Sequence, residues 1–114
     1  MIADITLTQF QEHLRPNESL IKLFPCTLAH TTVHPGMLAI TNDRLLYLGR
    51  SSLTKKTYTV IDQYPFEHIT YVTVNRIPFY ARLMFTCRDE SYIFYQFLNG
   101  DIQELADLIK SKIR

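Results

Sequence analysis

The sequence predicts a mainly β domain, a small barrel or sandwich of about seven short strands plugged by one C-terminal helix. Three observations carry that expectation. Segments 58–64, 69–76, 82–88 and 91–98 are strand-sized and rich in Val, Ile, Tyr, Phe and Thr, which suit a pleated surface. Residues 36–49, GMLAITNDRLLYLG, set two apolar runs around Thr41-Asn42-Asp43-Arg44. Asn and Asp tolerate left-handed backbone and bond their own main chain, so this is a β-hairpin pattern. Residues 101–113 place Ile102, Leu105, Ala106, Ile109 and Ile113 on one stripe at helical spacing.

Each element follows from local chemistry. Residues 5–15 predict a short helix, with Thr6/Gln9 or Thr8/Gln11 as a capping box and Leu7, Phe10 and Leu14 on one face. Pro16 ends it. Residues 20–28 form the first strand, where Pro25 argues for an edge-like position or a bulge. The segment before the Pro35-Gly36 turn is a connection, and residues 50–56 form a polar loop before the four later strands. Asp101 is expected to cap the final helix with Glu104 completing the box, and Lys110, Lys112 and Arg114 sit where cations offset the helix dipole. Two runs break the alternation expected of a strand with one wet face: Leu45-Leu46-Tyr47-Leu48 and residues 92–98, YIFYQFL. Such runs need cover on both sides. The first helix is expected to supply part of it and a second protein chain the rest.

With 114 residues the chain holds one core, and its formal charge of +1 provides no broad basic field for nucleic acid. No apolar run is long enough to span a bilayer, and the first residues do not form a signal peptide. Cys26 and Cys87 alone do not make a disulfide framework and are expected to be reduced thiols of a cytoplasmic protein.

The residues now assembled resemble a bacterial pleckstrin-homology domain, most closely the YokE-like family. The resemblance rests on GMLAITNDRLLY at 36–47, YPFEHITYV at 64–72, the apolar strand 92–97 and the final helix. It implies a helical leader over residues 1–17 and the domain proper over 18–114. It also implies two nearly orthogonal antiparallel sheets closed at one end by the helix. Members of this superfold bind phospholipid headgroups, peptides or proteins, so the fold alone does not name a ligand.

No catalytic residue, metal site or cofactor is expected. His30 and His34 are two histidines in a connection, too few for a metal site. Glu67-His68 and Asp89-Glu90 fall in turns, and no nucleophile-elbow, phosphate-loop or HExxH motif occurs. The main electrostatic feature is Arg50, Lys55 and Lys56, with Arg44 as a further candidate. By the resemblance, that loop would neighbour His30, His34 and Arg88 at the open end. The expected function is a non-catalytic binding or scaffolding module acting through protein–protein contact, with self-association as its form. Phe10, Tyr71, Tyr92 and Tyr95 are the candidate partner-binding residues. The alternative is weak peripheral binding to anionic lipid at the inner membrane face through Arg50, Lys55 and Lys56, each cation contributing about 1 kcal/mol.

Overall fold

A computed structural model describes residues 11–29, 34–50, 58–77, 80–98 and 100–113. Seven strands run in chain order: β1 (Leu20–Leu28), β2 (His34–Thr41), β3 (Arg44–Arg50), β4 (Tyr58–Pro65), β5 (Ile69–Ile77), β6 (Tyr80–Cys87) and β7 (Glu90–Tyr95). They form an antiparallel array ordered β4-β3-β2-β1-β7-β6-β5, and helix α1 (Asp101–Lys112) follows. β1 is the hinge of the array. Residues 20–26 of β1 pair with β2, whereas only Thr27 and Leu28 pair with β7. Pro25 lies opposite Met37 on β2, before pairing with β7 begins, so its missing N–H removes no β7 ladder bond.

The inward faces of both ladders meet in one core that includes Phe24, Leu38, Tyr47, Tyr64, Phe85 and Phe94. Its aromatic heart is tightly stacked, with Tyr64 edge-on to Phe85 at 4.9 Å and Phe85 stacked on Phe94 at 5.4 Å. Ile102, Leu105, Ala106 and Ile109 of α1 are buried in the same core, against β5 and β6. The stripe expected from spacing is therefore the plug. Its cap differs from expectation. Gly100 is the N-cap at φ 82°, Asp101 is the first helical residue, and no side chain caps the N-terminus. Glu104 is instead drawn to Lys22 on β1, with Oε1 2.7 Å from Nζ.

The unbroken apolar run of β3 is explained by a second core. Leu45 and Tyr47 face the main core, while Leu46 and Leu48 join Met37 and Ala39 of β2 on the opposite face. Leu14, Leu20 and Leu23 pack over that second cluster. The expected first helix lies mostly outside the described residues; Gln11 is helical and from Glu12 the chain runs in turns, with the Leu14 N–H on the Gln11 carbonyl. What the structure shows of the leader thus lies over β2–β3, on the second of the two cores. Tyr47 is fully buried and accepts the Leu28 N–H at 3.1 Å.

The second non-alternating run resolves differently. β7 ends at Tyr95, and Gln96 takes a left-handed φ of 64°. That residue resets the side-chain parity. Phe97, which by strict alternation would share a face with Ile93 and Tyr95, packs against the core, and Leu98 is left exposed.

Gly36 is required by a close approach. A Cβ there would lie 2.5 Å from Tyr47 Cζ and 2.8 Å from the Leu48 carbonyl oxygen. The obstacles are a buried ring and backbone, neither of which yields cheaply. Gly36→Ala is expected to destabilise the domain by about 1–3 kcal/mol through overpacking, measured as a fall in urea midpoint at unchanged slope.

Candidate functional site

The densest polar cluster is built on the turn between β2 and β3. Thr41 accepts the N–H groups of Asp43 and Arg44 on its hydroxyl, which fixes the turn, and donates to Glu18 Oε2 at 2.7 Å. Asn42 accepts the Ser19 N–H at 2.9 Å, and Asp43 pairs with Arg15. Arg44 holds Glu18 with both edges of its fork, Nε to Oε2 at 2.9 Å and Nη2 to Oε1 at 3.0 Å. Its remaining donors reach the Gln63 carboxamide and the His13 carbonyl. The Glu18 side chain is 2% exposed and the Arg44 side chain 9%.

This geometry decides the role of Arg44. Burial alone would raise the Glu18 carboxyl, but hydrogen bonds from Arg44, Thr41 and the Arg15 N–H overcome it and hold the pKa near about 2. Four of the five guanidinium N–H groups and both carboxylate oxygens are engaged within the protein, and the pair is buried. Arg44, grouped in the sequence with the basic loop, is not available to an anionic surface. The TNDR turn is a clasp that fastens residues 13–19 to the hairpin.

Other titratable groups do not converge. Burial raises the Cys26 and Cys87 thiols, and both are free and buried. Burial, then the nearby Asp62 carboxylate, raises the Tyr64 hydroxyl, which sits in the aromatic core. His68 and Glu67 are 3.9 Å apart and largely solvated. Among the described residues no group of three or more His, Cys, Asp or Glu could hold a metal ion. The clefts follow the leader. Among the described residues, one of about 630 Å³ is lined by apolar and polar residues between Gln11 and Leu20, and a smaller one of about 290 Å³ has Arg15, Asp43, Glu67 and Lys112 on its walls.

A different kind of surface lies on the outer face of β5–β6–β7. Leu83, Phe85 and Cys87 of β6 point inward, so Arg82, Met84 and Thr86 point outward. Cross-strand register aligns these into rungs: Tyr71–Thr86–Ser91, Thr73–Met84–Ile93, and Asn75–Arg82–Tyr95, which continues to Thr27 of β1. None of these outward residues is Asp, Glu or Lys. Tyr71 is 54% exposed, whereas Arg82, Met84, Ile93 and Tyr95 are half-buried. α1 packs elsewhere, in the main core. Arg82 Nε is buried without a hydrogen-bond partner, and no ion pair among the described residues involves Arg82. A buried donor left unpaired costs about 1–3 kcal/mol.

The structure separates the sequence candidates. Tyr71 and Tyr95 share this outer face. Tyr92 lies on the inner side, its ring 4.8 Å from that of Tyr64 and its hydroxyl on Glu90. Phe10, Lys55 and Lys56 lie outside the described residues, and Arg50 is the last residue of β3, registered with His34 and Tyr58. Arg88 forms the β6–β7 turn at φ 52°, its N–H on the His68 carbonyl. Sequence reasoning missed Arg82 and Met84, although their alternation with Leu83, Phe85 and Cys87 was the available signal.

Comparison with known proteins agrees with this architecture. The chain is similar over 98% of its length to a pleckstrin homology domain from Shewanella amazonensis SB2B, at 15% identity, TM-score 0.69 and 97% of that chain. It is similar over 97% of its length to a DUF1696 family protein with a pleckstrin-homology domain from Shewanella loihica PV-4, at 16% identity, TM-score 0.66 and 92% of that chain. The C-terminal domain of an unknown protein from Leishmania infantum aligns over 98% of this chain and 97% of its own, at 14% identity and TM-score 0.68. No curated protein matches the sequence. The family model described as "Bacterial PH domain" matches residues 14–111, so the clasp residue Glu18 and the buried residues of the helical plug both fall inside it, and the chain belongs to the bacterial PH domain family.

Proposed function

We propose that this PH domain is a non-catalytic binding module that works by protein–protein contact, self-association included, through the outer face of β5–β6–β7. One observation carries the reading: that face presents Tyr71, Met84, Ile93 and Tyr95 with no Asp, Glu or Lys, and α1 does not cover it. Sheets that face only water carry polar and charged residues outward. Aromatic residues, Met and Arg in a setting depleted of Lys and carboxylates are the composition of interface cores.

Light-scattering mass over a range of protein concentrations tests the self-contact directly. A mass above the monomer that falls in a Tyr71→Lys/Ile93→Lys variant is the result expected of a homomeric contact. Flotation with anionic vesicles at low and high salt tests the competing lipid reading. Salt-sensitive flotation that is lost in Lys55→Glu/Lys56→Glu would replace protein contact with membrane binding.

A further inference from the structure

Arg82 is the only charged side chain on the outward rungs, and it has no counter-charge among the described residues. It stands mid-rung between Asn75 and Tyr95, with Met84 and Ile93 in the next rung. Its Nε is shielded from water, yet nothing accepts its hydrogen. We propose that Arg82 anchors a carboxylate of a partner protein, so that the outer face of β5–β6–β7 takes a polypeptide segment presenting Asp or Glu between apolar side chains. This rests on the protein-contact reading and names the partner's chemistry.

Charge complementarity selects the occupant. Two copies meeting face to face would bring Arg82 toward Arg82 with no carboxylate on either side, because none of the outward rung residues is Asp or Glu. The occupant is therefore a different surface. A phosphate-rich surface is also disfavoured: binding to membranes or nucleic acid rests on several cations acting together, and this face has one. A carboxylate fits the fork of a single guanidinium end-on, with its two oxygens on the two terminal Nη groups. Apolar side chains on the partner would then lie on Met84, Ile93, Tyr71 and Tyr95.

A displayed library of random dodecapeptides, selected on the intact protein, supplies the probe. The expected binders carry Asp or Glu flanked by aliphatic or aromatic residues. A synthetic copy of one binder should bind Arg82→Met about 10- to 100-fold more weakly than wild type. Arg82→Lys should not restore it, because an ammonium lacks the fork. Arg82→Gln serves if Arg82→Met melts early. Binders without a carboxylate, or with equal affinity for Arg82→Met, overturn the proposal; if their binding is still lost in Tyr71→Lys/Ile93→Lys, protein contact stands without the carboxylate. Binders that ignore both variants, or an empty selection, count against both. Flotation of wild type but not Arg82→Met on phosphatidylserine vesicles would give the site to lipid phosphate.

Discussion

Glu18→Gln is expected to cost about 3–5 kcal/mol of stability, the largest single-residue effect outside the apolar core. The substitution keeps the shape but removes the charge that compensates Arg44, whose side chain is 9% exposed and cannot turn to water without breaking its bonds to Gln63 and His13. For a domain of this size the loss lowers the melting temperature on the order of 10 °C or more. Arg44→Met should cost a similar amount by stranding the carboxylate. The double variant Glu18→Leu/Arg44→Met should recover much of the loss, because an apolar pair incurs no charge desolvation. Equal costs that simply add would show that the two side chains do not act as a pair.

The same clasp predicts the acid limb of the stability curve. The Glu18 carboxyl is held down to about 2 in the folded chain against an ordinary value of 4.5. The depressed value means that the folded state stabilises the carboxylate. Its contribution is complete above pH 4.5 and is lost as pH falls from there toward 2, in total about 3 kcal/mol. This is the same interaction seen through protons, and it does not add to the mutational cost. Urea denaturation of wild type between pH 5 and 2.5 should show this loss, and Glu18→Gln should lack most of it.

Leu105→Ala is expected to cost about 2–5 kcal/mol. Leu105 is fully buried among the side chains that α1 inserts into the main core, and Ile102 and Ile109 flank it on the same stripe. The helix is tethered by its own N-terminal turn and by surface pairs such as Lys22–Glu104, which contribute little. The cavity therefore falls on the one contact that holds the plug. A variant that melts within a degree or two of wild type would show that α1 is not the closing element.

The candidate surface was partly legible before folding. Tyr71 and Tyr95 could be assigned to an outer face by counting alternate residues, and the same count separates Tyr92, which shares its parity with Phe94. Arg82 and Met84 escaped notice because an Arg and a Met on a strand look unremarkable singly. Only cross-strand register puts them beside Tyr95 and Ile93 on rungs that carry no acid.

Local pattern determined most of the architecture. Strand and helix identity are written in side-chain periods of two and of about 3.6 residues, and the turn chemistry of Thr41 to Arg44 lies within four consecutive positions. The second core was signalled too, since a run such as Leu45-Leu46-Tyr47-Leu48 has to be dry on both faces. Which chain segment dries each face was decided only in three dimensions. Leu14 lies over β2–β3 because Arg44, Asn42 and Asp43 reach back to residues 13–19, and no periodicity links an Arg to a Glu 26 positions earlier. Gln96 and Gly100 show the same limit. Their left-handed backbones re-aim Phe97 inward and start α1 without a side-chain cap. Gly100 takes that conformation without a Cβ penalty, whereas nothing in the residue type marks Gln96 for it, because a left-handed φ is uncommon for a side chain of that kind.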